Sequence, residues 1–188
     1  MPLPAPVPDR EELHLRRIEM RGFKRPDGLF DIEGRVTDHR AFPSQRGGFG
    51  PLADPKDPLH DMWVRLTLDG NLLIHDVAAV TDASPYDICP AAAASMAGLK
   101  GLRIARGWAQ TVKAALPNDA ACTHLREILT PMATAAFQTI VGDGARRGEA
   151  FANNAERLVD TCIAYRRDGE VVAIRFPEHS TRRTSSSS

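Results

Sequence analysis

The sequence predicts an α+β fold in which antiparallel β-hairpins, or a meander, pack on a C-terminal helical block. Two observations carry that expectation. In the first half, apolar residues alternate with polar ones and the runs reverse at PDG (26–28) and DGN (69–71), as half-buried strands and tight turns require. In the second half, apolar residues recur at three- and four-residue steps, as an amphipathic helix requires.

The elements follow in order. Residues 1–12 hold a run of spaced prolines and read as an extended arm. LHLRRIEMRGFK (13–24) is strand-like, and LFDIEGRVTD (29–38) returns from the PDG turn with Phe30, Ile32 and Val36 alternating against polar neighbours. Residues 39–59 are rich in Gly and Pro and form a long loop, of the kind that is often functional. In HDMWVRLTLDGNLLIHDVAAV, Met62, Val64, Leu66 and Leu68 share one face, and Trp63, Arg65 and Thr67 the other. This is the clearest hairpin. TDASPYDICP (81–90) is a bend, and Pro90 suits the first turn of a helix through AAAASMAGLK. GLRIARGWAQTVKAAL gives a connection and a second helix. Asn118 and Asp119 are candidate caps for a third helix bearing Leu125, Ile128, Leu129 and Met132, with Pro131 kinking or splitting it. Residues 141–157 read as a surface loop. DTCIAYRRDGEVVAIRF (160–176) reads as a third hairpin. The expected organisation is one α+β domain over 13–176 and a disordered, low-complexity tail over 177–188.

Composition narrows the function. The 188 residues are 43% hydrophobic with a formal net charge of zero, so no basic surface invites nucleic acid or an anionic membrane. No apolar run approaches the roughly 20 residues that cross a bilayer, and the N-terminus lacks the basic and apolar regions of a signal peptide. A cytoplasmic location is expected. Cys89, Cys122 and Cys162 form no CxxC pair and are odd in number, which argues for free thiols. GGFG (47–50) lacks the Lys and helix of a phosphate-binding loop, and no GxSxG elbow occurs.

Two resemblances add to this. DGLFDIEGRVTD, LHDMWVRLTLD, TDASPYDICP, GLRIARGW and CTHLREILTPMATAAFQT together resemble a bacterial family known only as a domain of unknown function. Over about residues 58–140 the order of elements is also similar to the NifU-type iron–sulfur scaffold proteins, which implies a NifU/SufE-like core. There His60 falls at the scaffold's aspartate position, Cys89 at the second ligand position and Cys122 at the third. The first cysteine position, near Pro58, carries none, and Ile88-Cys89-Pro90 replaces a Gly-Cys pair. The resemblance implies the fold more than cluster assembly.

If that topology holds, His60 opens a strand while Cys89 and Cys122 open helices, all at one end of the sheet. Helix N-termini favour thiolates, so both cysteines could be nucleophiles or soft ligands. The bland alternative, that each is a small buried hydrophobe, has equal weight. The expected catalytic set is His60, Asp61, Asp82, Tyr86, Cys89, Cys122, His124 and Glu127, with Glu127 orienting His124 one helical turn away. A capping or surface pair is the bland reading there, and turn stabilisation the bland reading of Asp82. The expected substrate-binding residues are Arg17, Glu33, Trp63 and Arg65. Asp31 and Glu33 share a strand face and could raise one another's pKa, but a solvated face opposite Arg17 or Arg21 is favoured. Trp63 and Trp108 could line a pocket, although core packing is the commoner role. No cofactor is expected. Zinc on His60, Cys89 and Cys122 is the alternative, since the ligand types fit although the spacing matches no zinc signature.

These features favour a small-molecule enzyme without an organic cofactor, performing lyase-type acid–base chemistry on a small aromatic or carbonyl compound. A metal-binding or scaffold-like accessory protein is the alternative, and a non-catalytic interaction module the second. The expected partner is a small-molecule substrate, with no nucleic acid and no membrane, and a homodimer is allowed.

Overall fold

The computed structural model describes residues 3–45, 48, 52–149 and 154–182. It has two compact units, Met1–Thr139 and Ile140–Ser188. The first holds a four-stranded antiparallel sheet followed by helices, which makes the chain α+β.

In the first unit, β1 (His14–Lys24) turns into β2 (Phe30–Arg40) through Pro26-Asp27-Gly28. Gly28 has a φ of 90°, a left-handed conformation that suits glycine best. β5 (His60–Leu68) pairs with β2, and β6 (Ile74–Ala83) with β5, giving the order β1-β2-β5-β6. The Asp69 carboxylate closes the last turn by accepting the N–H groups of Asn71 and Leu73. Between β2 and β5, the expected long loop contains a small ladder of β3 (Ser44–Gln45) and β4 (Leu52–Ala53). Most of the GGFG stretch lies outside the described residues.

Strand alternation divides the sheet into two faces. Phe30, Ile32, Val36, Met62, Val64, Leu66 and Leu68 are buried on the inner face. The outer face carries rows of charged residues: Arg21, Glu33 and Arg65 lie side by side across three strands, and Glu19, Arg35 and Trp63 form the next row.

After β6 the chain forms a 3-10 segment, Cys89–Leu99, which buries Met96 and Leu99. Then come α1 (Trp108–Ala115), α2 (Thr123–Glu127) and α3 (Leu129–Arg146). The expected third helix is indeed split. Pro131 has no N–H for the carbonyl four residues earlier and its ring crowds it, and that residue, Glu127, is where α2 ends. Cys122, not Asn118 or Asp119, occupies the N-cap position of α2. Asn118 instead accepts a bond from Arg126.

Three sequence expectations fail beyond residue 140. Residues 141–146 continue α3 and Ala155–Leu158 form α4, so 141–157 is not one surface loop. The expected third hairpin is absent. Ile163–Tyr165 forms a 3-10 turn and Glu170–Arg175 a helix, α5. The β-branched run Val171, Val172 and Ile174 suggested a strand, but strand alternation would bury Ile174, which is 71% exposed. Val172 and Phe176 are fully buried instead, four residues apart, as one helical face requires. Pro177–His179 forms a further 3-10 turn where the disordered tail was expected to begin. Residues 183–188 lie outside the described part. Among the described residues, no helix is long and apolar enough to cross a membrane.

Candidate functional site

On β2 and β5 the inner face of the sheet is apolar until its last row. There Arg16 of β1 lies opposite Asp38 of β2, and Asp38 opposite His60 of β5. Asp38 is in phase with Phe30, Ile32 and Val36, so the alternation that buries them also buries a carboxylate, 1% exposed. His60 continues the buried series of Met62 and Val64 in the same way.

Four hydrogen bonds fill the two oxygens of Asp38. Arg16 grips both, Nε donating to Oδ1 and Nη2 to Oδ2, each at 2.8 Å. His14 Nε2 reaches Oδ1 and His60 Nδ1 reaches Oδ2, each at 3.0 Å. An ionised carboxylate only accepts, so the proton of neutral His60 sits on Nδ1 and its Nε2 carries a lone pair. Burial pushes the Asp38 carboxyl up. The hydrogen bond and charge of Arg16 outweigh this, and His60 and His14 add to it, so the group is held below the usual carboxylate value. The Arg16 guanidinium is raised in turn, chiefly by its hydrogen bond to Asp38.

α2 closes the row from above. The rings of His124 and His60 lie 3.8 Å apart between centroids, tilted by 31°. His124 Nε2 stands 3.9 Å from Asp38 Oδ2. Burial lowers the pKa of both imidazoles. His60 is lowered further by the charge of His124, and His124 by that of Arg16, while Asp38 opposes the shift in both. Cys122 Sγ lies 3.8 Å from His124 Nδ1 and 3.7 Å from Met62 Sδ. Glu127, expected to orient His124, instead accepts from Arg16 Nη1 at 2.5 Å and so ties α2 to β1.

The expected residues thus divide. His60, Cys122, His124 and Glu127 gather around Asp38. Asp61, next to His60 in sequence, projects to the opposite face by strand alternation, where it takes a paired grip from Arg35 at 2.8 and 2.6 Å. Arg17, Glu33, Trp63 and Arg65 also belong to that outer face. Arg65 stands 3.8 Å from Glu33, and Arg35 lies 4.8 Å above the Trp63 ring. Among the described residues, no hydrogen bond or ion pair joins Asp82, Tyr86 or Cys89 to the Asp38 cluster. Cys89 is half-buried, Tyr86 is 52% exposed and Asp82 is exposed near Arg35. Trp108 is a core residue, its Nε1–H donating to the Leu129 carbonyl at 2.9 Å.

Three members of the centre went unread in the sequence: Asp38, Arg16 and His14. The signal for Asp38 was present, because it is the one acidic residue in phase with the buried positions of β2. Arg16 and His14 carry no such mark, since their partner lies more than 20 residues away.

The fold and this row define an α+β protein with a buried carboxylate flanked by imidazoles at the end of its sheet. The chain belongs to the family described as proteins of unknown function, DUF2889, whose model matches residues 14–138. That span covers every residue of the Asp38 cluster. No curated protein and no solved structure matches the chain, so the likeness to NifU-type scaffolds rests on the order of sequence features alone.

Proposed function

We propose that the protein is a small-molecule enzyme without an organic cofactor, performing lyase-type acid–base chemistry on a small aromatic or carbonyl compound. The carrying observation is the buried pair of Asp38 and His60 at 3.0 Å, with the carboxylate held charged by Arg16. Asp38 fixes the His60 tautomer and leaves Nε2 as the proton acceptor. A substrate proton moves to Nε2 as the neighbouring bond cleaves. The imidazolium that forms is stabilised by Asp38 and returns the proton to the departing fragment. Such positioned proton transfer contributes about 10² to 10⁴ in rate. The free thiols of all three cysteines suit the reducing setting of a cytoplasmic enzyme.

The test is proton exchange in D2O, read by NMR, against a panel of small aldehydes, ketones and phenols. The wild-type protein should exchange or cleave at least one member, and His60→Gln should lower that rate by about 10² or more. Silence across the whole panel, or a His60→Gln protein as fast as wild type, would overturn the proposal.

A further inference from the structure

We infer that Asp38, His60 and His124 form a binding site for a divalent first-row transition cation of the zinc or iron type. The inference rests on the preceding reading only in taking this cluster as the reactive centre.

Three separate elements, β2, β5 and α2, bring one ligand atom each to a common point. One ligand atom each from Asp38, His60 and His124 lies within 4.8 Å of the other two. Ligand atoms about 2.1 Å from such a cation stand about 3.0 to 3.4 Å apart at octahedral or tetrahedral angles. The His60–Asp38 edge is 3.0 Å and the His124–Asp38 edge is 3.9 Å. The His60–His124 edge is no longer than 4.8 Å, so the triad closes on a cation by an inward shift of His124. Two imidazoles and one carboxylate, with the remaining positions open, are a donor set for iron(II) or zinc and poor for calcium or magnesium, which prefer oxygen.

The surroundings fit a cation despite the nearby guanidinium. Arg16 occupies lone pairs on both Asp38 oxygens and fixes the carboxylate plane, as an outer partner of a metal ligand does. Glu127 sits 2.5 Å from Arg16 and offsets its charge, so that Arg16, Asp38 and Glu127 together carry one net negative charge. On binding, the cation takes the place of the His60 Nδ1 proton, which moves to Nε2. No proton is lost, but His60 changes from an acceptor to a donor toward the site. The cation would lower the pKa of a bound water, and the hydroxide left once that water gives up a proton to solvent would replace His60 Nε2 as the proton acceptor of the acid–base reaction.

Zinc is the probe. Untagged full-length protein, stripped by chelator and dialysed, is titrated in competition with a chromogenic zinc indicator. One equivalent should bind. His60→Gln and His124→Gln should each weaken binding by at least tenfold. His75→Gln removes an exposed His–Asp pair and should leave binding unchanged. Circular dichroism checks that each variant folds, and the half-buried His124 is the substitution most easily tolerated. No uptake by wild type, or equal uptake by the His60 and His124 variants, would overturn the metal site. The same samples are assayed for deuterium exchange with and without zinc. Exchange that persists in chelator while zinc uptake fails overturns the metal site alone. Stoichiometric uptake without exchange in either condition overturns the acid–base reading and leaves the site standing.

Discussion

Asp38 keeps 1% of its surface in contact with solvent, and a carboxylate so placed loses hydration worth several kcal/mol unless donors replace the water. Arg16 supplies two of its four hydrogen bonds and its compensating charge. Replacing Arg16 with Met should therefore cost about 3 to 5 kcal/mol in urea unfolding, because the buried charge is left without its cation. Replacing His14, whose ring is half exposed, should cost about 1 kcal/mol or less, since water can take its place. Equal losses for the two variants would show that Asp38 does not depend on the guanidinium. A second buried polar contact is open to the same reasoning. Trp108→Phe keeps most of the core packing but removes the indole N–H that bonds the Leu129 carbonyl. It should lower stability by about 0.5 to 1.5 kcal/mol in the same measurement, the net contribution of one hydrogen bond, since that carbonyl keeps its bond within α3.

The docking of α3 on the sheet depends on two glycines. A Cβ built on Gly22 of β1 would stand 1.8 Å from Thr139 Oγ1 and within 2.8 Å of the Thr139 Cβ. Thr139 is β-branched and bonded to the carbonyl of Ala135, so its side chain cannot swing aside freely. Gly22→Ala should then cost about 1 to 3 kcal/mol, the usual range for overpacking. Adding Thr139→Ala should recover most of the loss, a coupling read by a double-mutant cycle in thermal unfolding. At Gly34 the neighbours of an added Cβ are the flexible side chains of Met132 and Met20, so Gly34→Ala should cost less than Gly22→Ala. The strand alternation that brings α3 against these glycines also separates neighbours in sequence. His60 faces the helices while Asp61 faces Arg35.

Over the whole molecule, the match to the family ends at residue 138 and the first compact unit at Thr139. The Asp38 cluster therefore lies inside the part of the chain that the family shares. The formal net charge is zero, with Arg and Glu interleaved across the outer face of the sheet. From that net charge we expect little counterion release to drive nucleic-acid binding. Duplex DNA at physiological salt should bind more weakly than about 10⁻⁴ M in a fluorescence anisotropy titration, and a micromolar Kd would contradict the reading.

Local chemistry determined β1, β2, β5 and β6 and the turns within the two hairpins, because period-two alternation and the turn residues PDG and DGN act within a few positions of one another, whereas the short β3–β4 ladder was not legible in the loop. It also determined the break near Pro131, since a missing N–H acts four residues away. The same local rules misread 160–176 as a hairpin, because Val171, Val172 and Ile174 favour extended backbone where a helix buries Val172 with Phe176. The α+β class was thus legible, and so were His60, Cys122 and His124 as reactive types. Tertiary structure decided which of these meet. Register across β1, β2 and β5 set Arg16, Asp38 and His60 in one row, and the packing of α2 laid His124 over it. No sequence spacing encodes that meeting, because the contacts join residues from 22 to 111 positions apart, and only the folded sheet brings them within hydrogen-bonding distance.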